Sequence, residues 1–185
     1  MTYEQYHALF GRILSDPSLS HPYDNEAYLE YTKLNSSRMR RRDKQLSLDK
    51  HLMTLLQRLE LPQHWIIITE PWCGDAAHIL PFLIRMTTQN PLITYDIQLR
   101  DSSPFLIDSY LTEGAKSIPK LIVRNMAGED LFNWGPRPKP AQKLLKSLTV
   151  ASVDPKIALQ NWYNQNKGVS INVEITQLFQ QLNIR

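Results

Sequence analysis

One cysteine, Cys73, stands in the stretch Glu70-Pro71-Trp72-Cys73-Gly74-Asp75-Ala76-Ala77-His78-Ile79-Leu80-Pro81. The β-branched run Ile66-Ile67-Ile68-Thr69 leads into it and the apolar segment Phe82-Leu83-Ile84-Arg85-Met86 follows, so the cysteine falls where a strand turns into a helix. Unpaired N–H groups and the positive end of a helix dipole favour a thiolate over a thiol, and the thiolate is the nucleophile of disulfide exchange. Three titratable neighbours bear on that chemistry. Glu70, three residues earlier at the carboxyl end of the strand, is either a proton acceptor or a solvated carboxylate or helix-terminus partner. Asp75 suits a helix start, but its negative charge raises the thiol pKa, and the two opposing effects are each about 1 kcal/mol. His78 either points its imidazolium at the sulfur, where it lowers the thiol pKa and exchanges protons, or is a surface or partly buried histidine.

The elements that must position these groups follow from periodicity and punctuation. Residues 1–60 read as helical. Tyr3, Tyr6, Phe10 and Ile13 share one helix face that Pro17 stops, and a second helix over 25–34 carries Ala27, Tyr28, Tyr31 and Leu34 on one side. Ser47 is the expected cap of a third helix, whose Leu52, Leu55, Leu56 and Leu59 face a sheet until Leu61-Pro62 ends it. Beyond the cysteine, residues 92–99 read as a strand, and Asp101-Ser102-Ser103-Pro104 as the start of a helix over 105–111 that Gly114 closes. A strand over 120–124, a turn over 125–130 and a return strand over 131–134 form a hairpin. Residues 136–140, alternating proline with basic residues, form a stiff connector into a helix over 141–148. Two further helices, 155–166 and 172–182, are separated by Gly168. The second carries Ile171, Ile175, Leu178, Phe179 and Leu182 on a side expected to pack back on the domain.

Trp72-Cys73-Gly74, with Pro81 five positions after Ala76, resembles the thioredoxin active site, Trp-Cys-Gly-Pro-Cys followed at the same spacing by a helix-kinking proline. Ser117-Ile118-Pro119 before the 120–124 strand is similar to the family's Ile-Pro-Thr strand opening. Pro119 lies 43 residues after Ala76, and Gly135 stands where thioredoxins end the return strand. These matches cover roughly residues 60–150. The resemblance implies a thioredoxin-like α/β fold of a bacterial family member, with a central mixed sheet and helical extensions at both termini. Residues 1–45 would be an N-terminal helical extension, 46–150 the thioredoxin-like domain and 151–185 a C-terminal helical extension packed on it. Strands 66–69 and 94–99 would run parallel at the sheet centre, with the hairpin 121–134 at one edge. It also implies a cis bond before Pro119, beside Cys73, and a docking groove made by Trp72, Gly74, Ile118 and Pro119.

The departures shape the functional expectation. Asp75 replaces the family's proline, Ala76 its resolving cysteine, and Ile67 stands six residues before Cys73, where thioredoxins bury a proton-shuttling acid. A mixed disulfide on Cys73 cannot be opened internally. The resemblance therefore implies a monothiol thioredoxin-like protein. Cys73 would be catalytic, Glu70, Asp75 and His78 would modulate its pKa, and a protein or low-molecular-weight thiol or disulfide would be the partner, with an external thiol resolving the adduct. The alternative is a redox-inactive thioredoxin-fold binding or adaptor module that keeps the groove. A thiolate peroxidase and a glutathione-transferase-like enzyme are more distant readings.

Composition sets the outer bounds. The 185 residues are 42% hydrophobic and 21% charged, and contain no apolar run near the roughly 20 residues of a membrane span. A start lacking a basic region and apolar stretch, together with a single cysteine, suggests a cytoplasmic protein in a reducing compartment. The net charge of +3 owes much to Arg38, Arg40, Arg41, Arg42 and Lys44, read as a solvated helix face or salt-bridged connector rather than a nucleic-acid surface. His7, His21, His51, His64 and His78 lack metal-ligand spacing, and no cofactor is implied.

Overall fold

The computed structural model describes residues 1–16, 21–148 and 154–182. Strands β1 (Gln63–Thr69), β2 (Ile93–Leu99), β3 (Lys120–Asn125) and β4 (Asp130–Trp134) form one sheet in the order β2-β1-β3-β4. β1 pairs parallel with β2, Gln63 opposite Ile93 and Thr69 opposite Leu99, and antiparallel with β3, which makes a hairpin with β4. The expected mixed α/β sheet is therefore present, but β2 lies at an edge and β1 and β3 are central. Residue character explains the order. Ile66, Ile67 and Ile68 are all buried, as a strand covered on both faces requires, whereas Thr94 is exposed and Asp96 half-buried in β2. Beyond β2, the Ile97 N–H donates to the Met1 carbonyl at 3.0 Å and the Met1 amino group donates back to Ile97 O at 2.8 Å, so the first residue covers part of that edge.

Helix α1 (Tyr3–Ser15) opens with a capping box between Thr2 and Gln5 and buries Tyr6, Phe10 and Ile13, as their spacing predicts. Its expected stop, Pro17, lies outside the described residues. Helix α2 (Glu26–Gln45), capped by Asn25, continues past Leu34 through the arginine run. Its inward face is Thr32, Asn35, Ser36 and Met39, while Ala27, Tyr28 and Leu34 are exposed and Tyr31 half-buried. The aromatic face is thus turned away from the core. A polar face packs inward because part of what it covers is main chain: Asn35 Nδ2 donates to Pro71 O at 3.0 Å. Helix α3 (Lys50–Gln57) is capped by Asp49, which accepts the His51 and Leu52 N–H groups, not by Ser47, and buries Leu52 and Leu56.

Helix α4 (Gly74–Thr87) has Cys73 as its N-cap and Pro81 inside it, and is buried along most of its length. The helix expected over 105–111 shrinks to a short 3-10 turn at Leu106–Ser109, because Phe105 takes a left-handed conformation (φ 54°) incompatible with helical continuation. Helices α5 (Lys139–Ser147), α6 (Pro155–Asn166) and α7 (Val169–Leu182) complete the chain. In α7, Ile171, Ile175 and Phe179 are buried, Phe179 stacks on Trp65 at 5.9 Å between ring centroids, and it meets Phe132 edge-on at 5.2 Å. The α6–α7 turn passes Phe82 so closely that a Cβ on Gly168 (φ +87°) would sit 2.2 Å from that ring.

Alternation along β1 sends Trp65 and Ile67 into the larger core, shared with α1, α3, α4 and α7, and Ile66 and Ile68 into a smaller one. The smaller core contains Cys73, Ala76, Ile107, Ile118 and Ile122, so the cysteine is part of a packed apolar cluster.

Candidate functional site

Cys73 closes the turn between β1 and α4. Its N–H donates to Glu70 O at 3.0 Å, its Sγ accepts the Ala76 N–H at 3.4 Å, and its thiol donates to Ile118 O at 3.3 Å. The side chain is 7% exposed. Burial, reinforced by the charge of Asp75, pushes the thiol pKa up to about 12 against the lowering influence of the Ala76 and Asp75 N–H groups and Arg137. At this helix terminus, which the sequence left balanced between the dipole and the Asp75 charge, loss of water around the sulfur outweighs two donated N–H groups. The Ile118-Pro119 bond is cis and adjoins Cys73, as the sequence predicts. Gly135 (φ +120°) passes over the same strand opening, and a Cβ there would lie 2.2 Å from Pro119 O, so this position has room only for glycine.

The three titratable neighbours take unexpected states. Glu70 is 5% exposed and Oε1 accepts the Asp101 N–H at 3.0 Å; burial raises its pKa to about 7 against that bond. It is not a solvated carboxylate. The buried hydroxyl of Tyr23 lies beside Glu70, and burial and that carboxylate raise its pKa well above the ordinary value. Asp75 is held by Arg137, whose Nη2 and Nε donate to Oδ2 at 2.5 and 3.1 Å, and by the Tyr163 hydroxyl, which donates to Oδ1 at 2.6 Å.

His78 is 3% exposed, and its pKa falls to about 3 because burial and the charges of Arg42, Arg38 and Arg41 outweigh its bond to Gln160. Arg42 Nε donates to Nδ1 at 3.3 Å, so the ring proton is on Nε2, facing Gln160 Oε1 at 3.1 Å, and the ring stacks on Tyr163 at 4.5 Å. At neutral pH this environment favours the neutral ring. The arginine run is correspondingly split: Arg38 and Arg42 turn inward one helical turn apart, while Arg40 and Arg41 face solvent.

A cavity of about 670 Å³ opens between α2, α6 and the Cys73 turn. Cys73, Trp72, Gly74, Asp75, His78 and Ile118 all line it; Glu70 and Pro119 do not. The Arg100 guanidinium sits 4.6 Å above the Trp72 ring, Tyr28 meets that ring edge-on at 5.7 Å, and Trp72 Nε1 is buried without a hydrogen-bond partner among the described residues. Tyr31 carries Arg38 at 5.9 Å and Lys156 at 4.6 Å from its ring centre. A Cβ on Gly74 would touch Tyr31 and Arg38 at 3.6 and 3.8 Å, which places both beside the first turn of α4.

Sequence reasoning missed Tyr28, Tyr31, Arg38, Arg137, Lys156 and Tyr163 as site residues. The aromatic side of α2 was visible as a shared helix face, but nothing in the sequence tied it to the Cys73 turn. Nothing in the chain marks Arg137 as the partner of an acid 62 residues earlier. Among the described residues no group of three or more His, Cys, Asp or Glu side chains gathers to hold a metal, and no helix is long and apolar enough to cross a membrane.

A family model described as Thioredoxin matches residues 21–151. No curated protein matches the chain. Similar solved structures include a protein of unknown function from Pseudomonas aeruginosa, 15% identical with a TM-score of 0.55 over 98% of each chain. An HIV epitope scaffold is 16% identical with a TM-score of 0.52, over 98% of this chain and 99% of that one. At these identities the likeness bears on the fold alone.

Proposed function

Since the chain belongs to the thioredoxin family, we propose that it uses the family's docking turn as a ligand-binding module, with Cys73 a buried thiol that ties the turn to the Ile118 strand. The observation that carries this reading is the donated thiol bond to Ile118 O, from a sulfur whose pKa is pushed up to about 12. At pH 7 such a group leaves about one thiol in 100,000 ionised, far below the few per cent of an ordinary cysteine. The neutral His78 offers no positive charge to reverse this, and the chain has no second cysteine to open an adduct. Trp72, Gly74 and Ile118 then serve as walls of the binding cavity, and Pro119 as the strand opening that holds Ile118 against the turn.

The test is covalent. After incubation with glutathione disulfide, the intact mass is expected to remain that of the free thiol, and alkylation by iodoacetamide to need alkaline pH. A glutathione adduct forming readily at neutral pH overturns the reading.

Monothiol exchange is the second reading, and the presence of Cys73 on the cavity wall favours it. In it the Cys73 thiolate attacks a disulfide sulfur and expels one thiolate; an external thiolate then attacks the substrate sulfur of the mixed disulfide, expelling the Cys73 thiolate, and a second external thiolate opens the resulting substrate–thiol disulfide, releasing the second reduced thiol and leaving the two external thiols joined as a disulfide. Turnover would then scale with added low-molecular-weight thiol, vanish in Cys73→Ser and gain an internal route in Ala76→Cys.

A further inference from the structure

The lining of the cavity is strongly one-signed. Arg38, Arg100, Lys116, Arg137 and Lys156 reach it, against Asp75 as the one acid, although the whole chain carries a net charge of only +3. Three of the cations are answered within the protein: Arg137 by Asp75, Arg100 by Asp101 at 2.7 Å, and Lys116 by Asp108 at 2.6 Å. Arg38 and Lys156 have no carboxylate within ion-pair distance among the described residues. Both nevertheless lie within 6 Å of one ring, that of Tyr31. Two like charges beside one aromatic ring, one of them on a half-buried guanidinium, form an arrangement that lacks a carboxylate counter-charge among the described residues. Arg38 spends one contact on Asn35 Oδ1 at 2.9 Å, which leaves further N–H donors of its planar fork for a carboxylate or phosphate.

The remaining wall is apolar and flat. Tyr28 and Tyr31 lie on the side of α2 turned away from the core, Trp72 faces them, and Leu159 contributes from α6. A volume of about 670 Å³ lies within the range of sites that enclose small organic ligands, and rigid aromatic rings offer stacking surface at little entropic cost.

From this pairing of unanswered cations with an aromatic wall, we propose that the cavity beside Cys73 binds a small planar aromatic anion, a carboxylate or phosphate held by Arg38 and Lys156 with its ring system against Tyr28, Tyr31 and Trp72. The assignment names the ligand class for the binding-module reading and rests on that reading.

The test titrates the full chain with 2-naphthoate, 2-naphthyl phosphate and the uncharged 2-naphthamide, following tryptophan fluorescence or heat. At least one of the two anions is expected to bind about tenfold more tightly than the amide, and the gap to close at high salt as the exposed part of the attraction is screened. Lys156→Gln, an exposed substitution that leaves the fold intact, is expected to weaken anion binding about threefold and leave the amide unchanged. Arg38→Gln is expected to cost about tenfold, with circular dichroism reporting whether it folds.

Equal affinity for anions and amide, or an anion affinity indifferent to Lys156→Gln, overturns the ligand class while leaving the binding-module reading in place. Failure of both anions to bind overturns it as well. A glutathione adduct on Cys73, by contrast, removes the module reading whatever the probes do.

Discussion

Replacing Glu70 by Gln keeps an oxygen to accept the Asp101 N–H and removes only the ionisation, so its effect on stability isolates the cost of a buried carboxylate. In the folded protein the Glu70 pKa rises from 4.5 to about 7, chiefly through burial. Because the folded pKa is raised, the native state holds its proton more tightly than the unfolded chain. That contribution is complete below pH 4.5 and is lost as pH climbs through about 7. At 1.36 kcal/mol per pH unit the rise corresponds to about 3 kcal/mol.

Glu70→Gln is therefore expected to match the wild type near pH 4 and to exceed it by about 3 kcal/mol near pH 8, read as the difference between urea unfolding curves. His78, whose pKa is lowered to about 3, acts with the opposite sign. Its contribution is present above 6.5 and is lost as pH falls toward 3, but it is common to both proteins and cancels in the difference. A difference that does not vary with pH, or a Gln variant less stable than wild type near pH 8, would refute the reasoning.

Asp75→Asn leaves the Arg137 guanidinium without its charge partner and is expected to cost about 3 kcal/mol. It also removes a cause of the high Cys73 pKa, so iodoacetamide alkylation should begin at lower pH than in the wild type. For Gly135→Ala, a Cβ set 2.2 Å from Pro119 O on a backbone at φ +120° should destabilise by about 3 kcal/mol or prevent folding, checked by thermal unfolding. Phe179→Ala opens a cavity between Trp65 and Phe132 and is expected to cost about 3–5 kcal/mol in the same measurement.

The fold was legible where local and tertiary signals agree. The triple isoleucine of β1, the cysteine at the start of α4 and the Ile118-Pro119 strand opening each carry a short-range cue, and they define the sheet and its ligand edge. Burial patterns of single strands would have hinted that β2 is an edge, since Thr94 and Asp96 alternate with its apolar residues. The surroundings of the α2 face were not legible because periodicity reports an apolar stripe without saying whether it meets a core or a cavity. The state of Cys73 was illegible for a related reason. Its helix position is local and visible, whereas its desolvation depends on Ile107, Ile118 and Ile122, all more than 30 residues distant.

The anchoring of α7 bears on how the chain is made. Trp65 leaves the ribosome 114 residues ahead of Phe179, which at about 5–20 residues per second is an interval of roughly 6–23 s. Throughout that interval the indole that Phe179 will cover lies on an unfinished sheet face, joined by the Phe132 ring once β4 has been made. The nascent chain thus presents an aromatic surface to chaperones until α7 emerges, and translation speed over residues 135–179 sets how long the completed patch stays exposed.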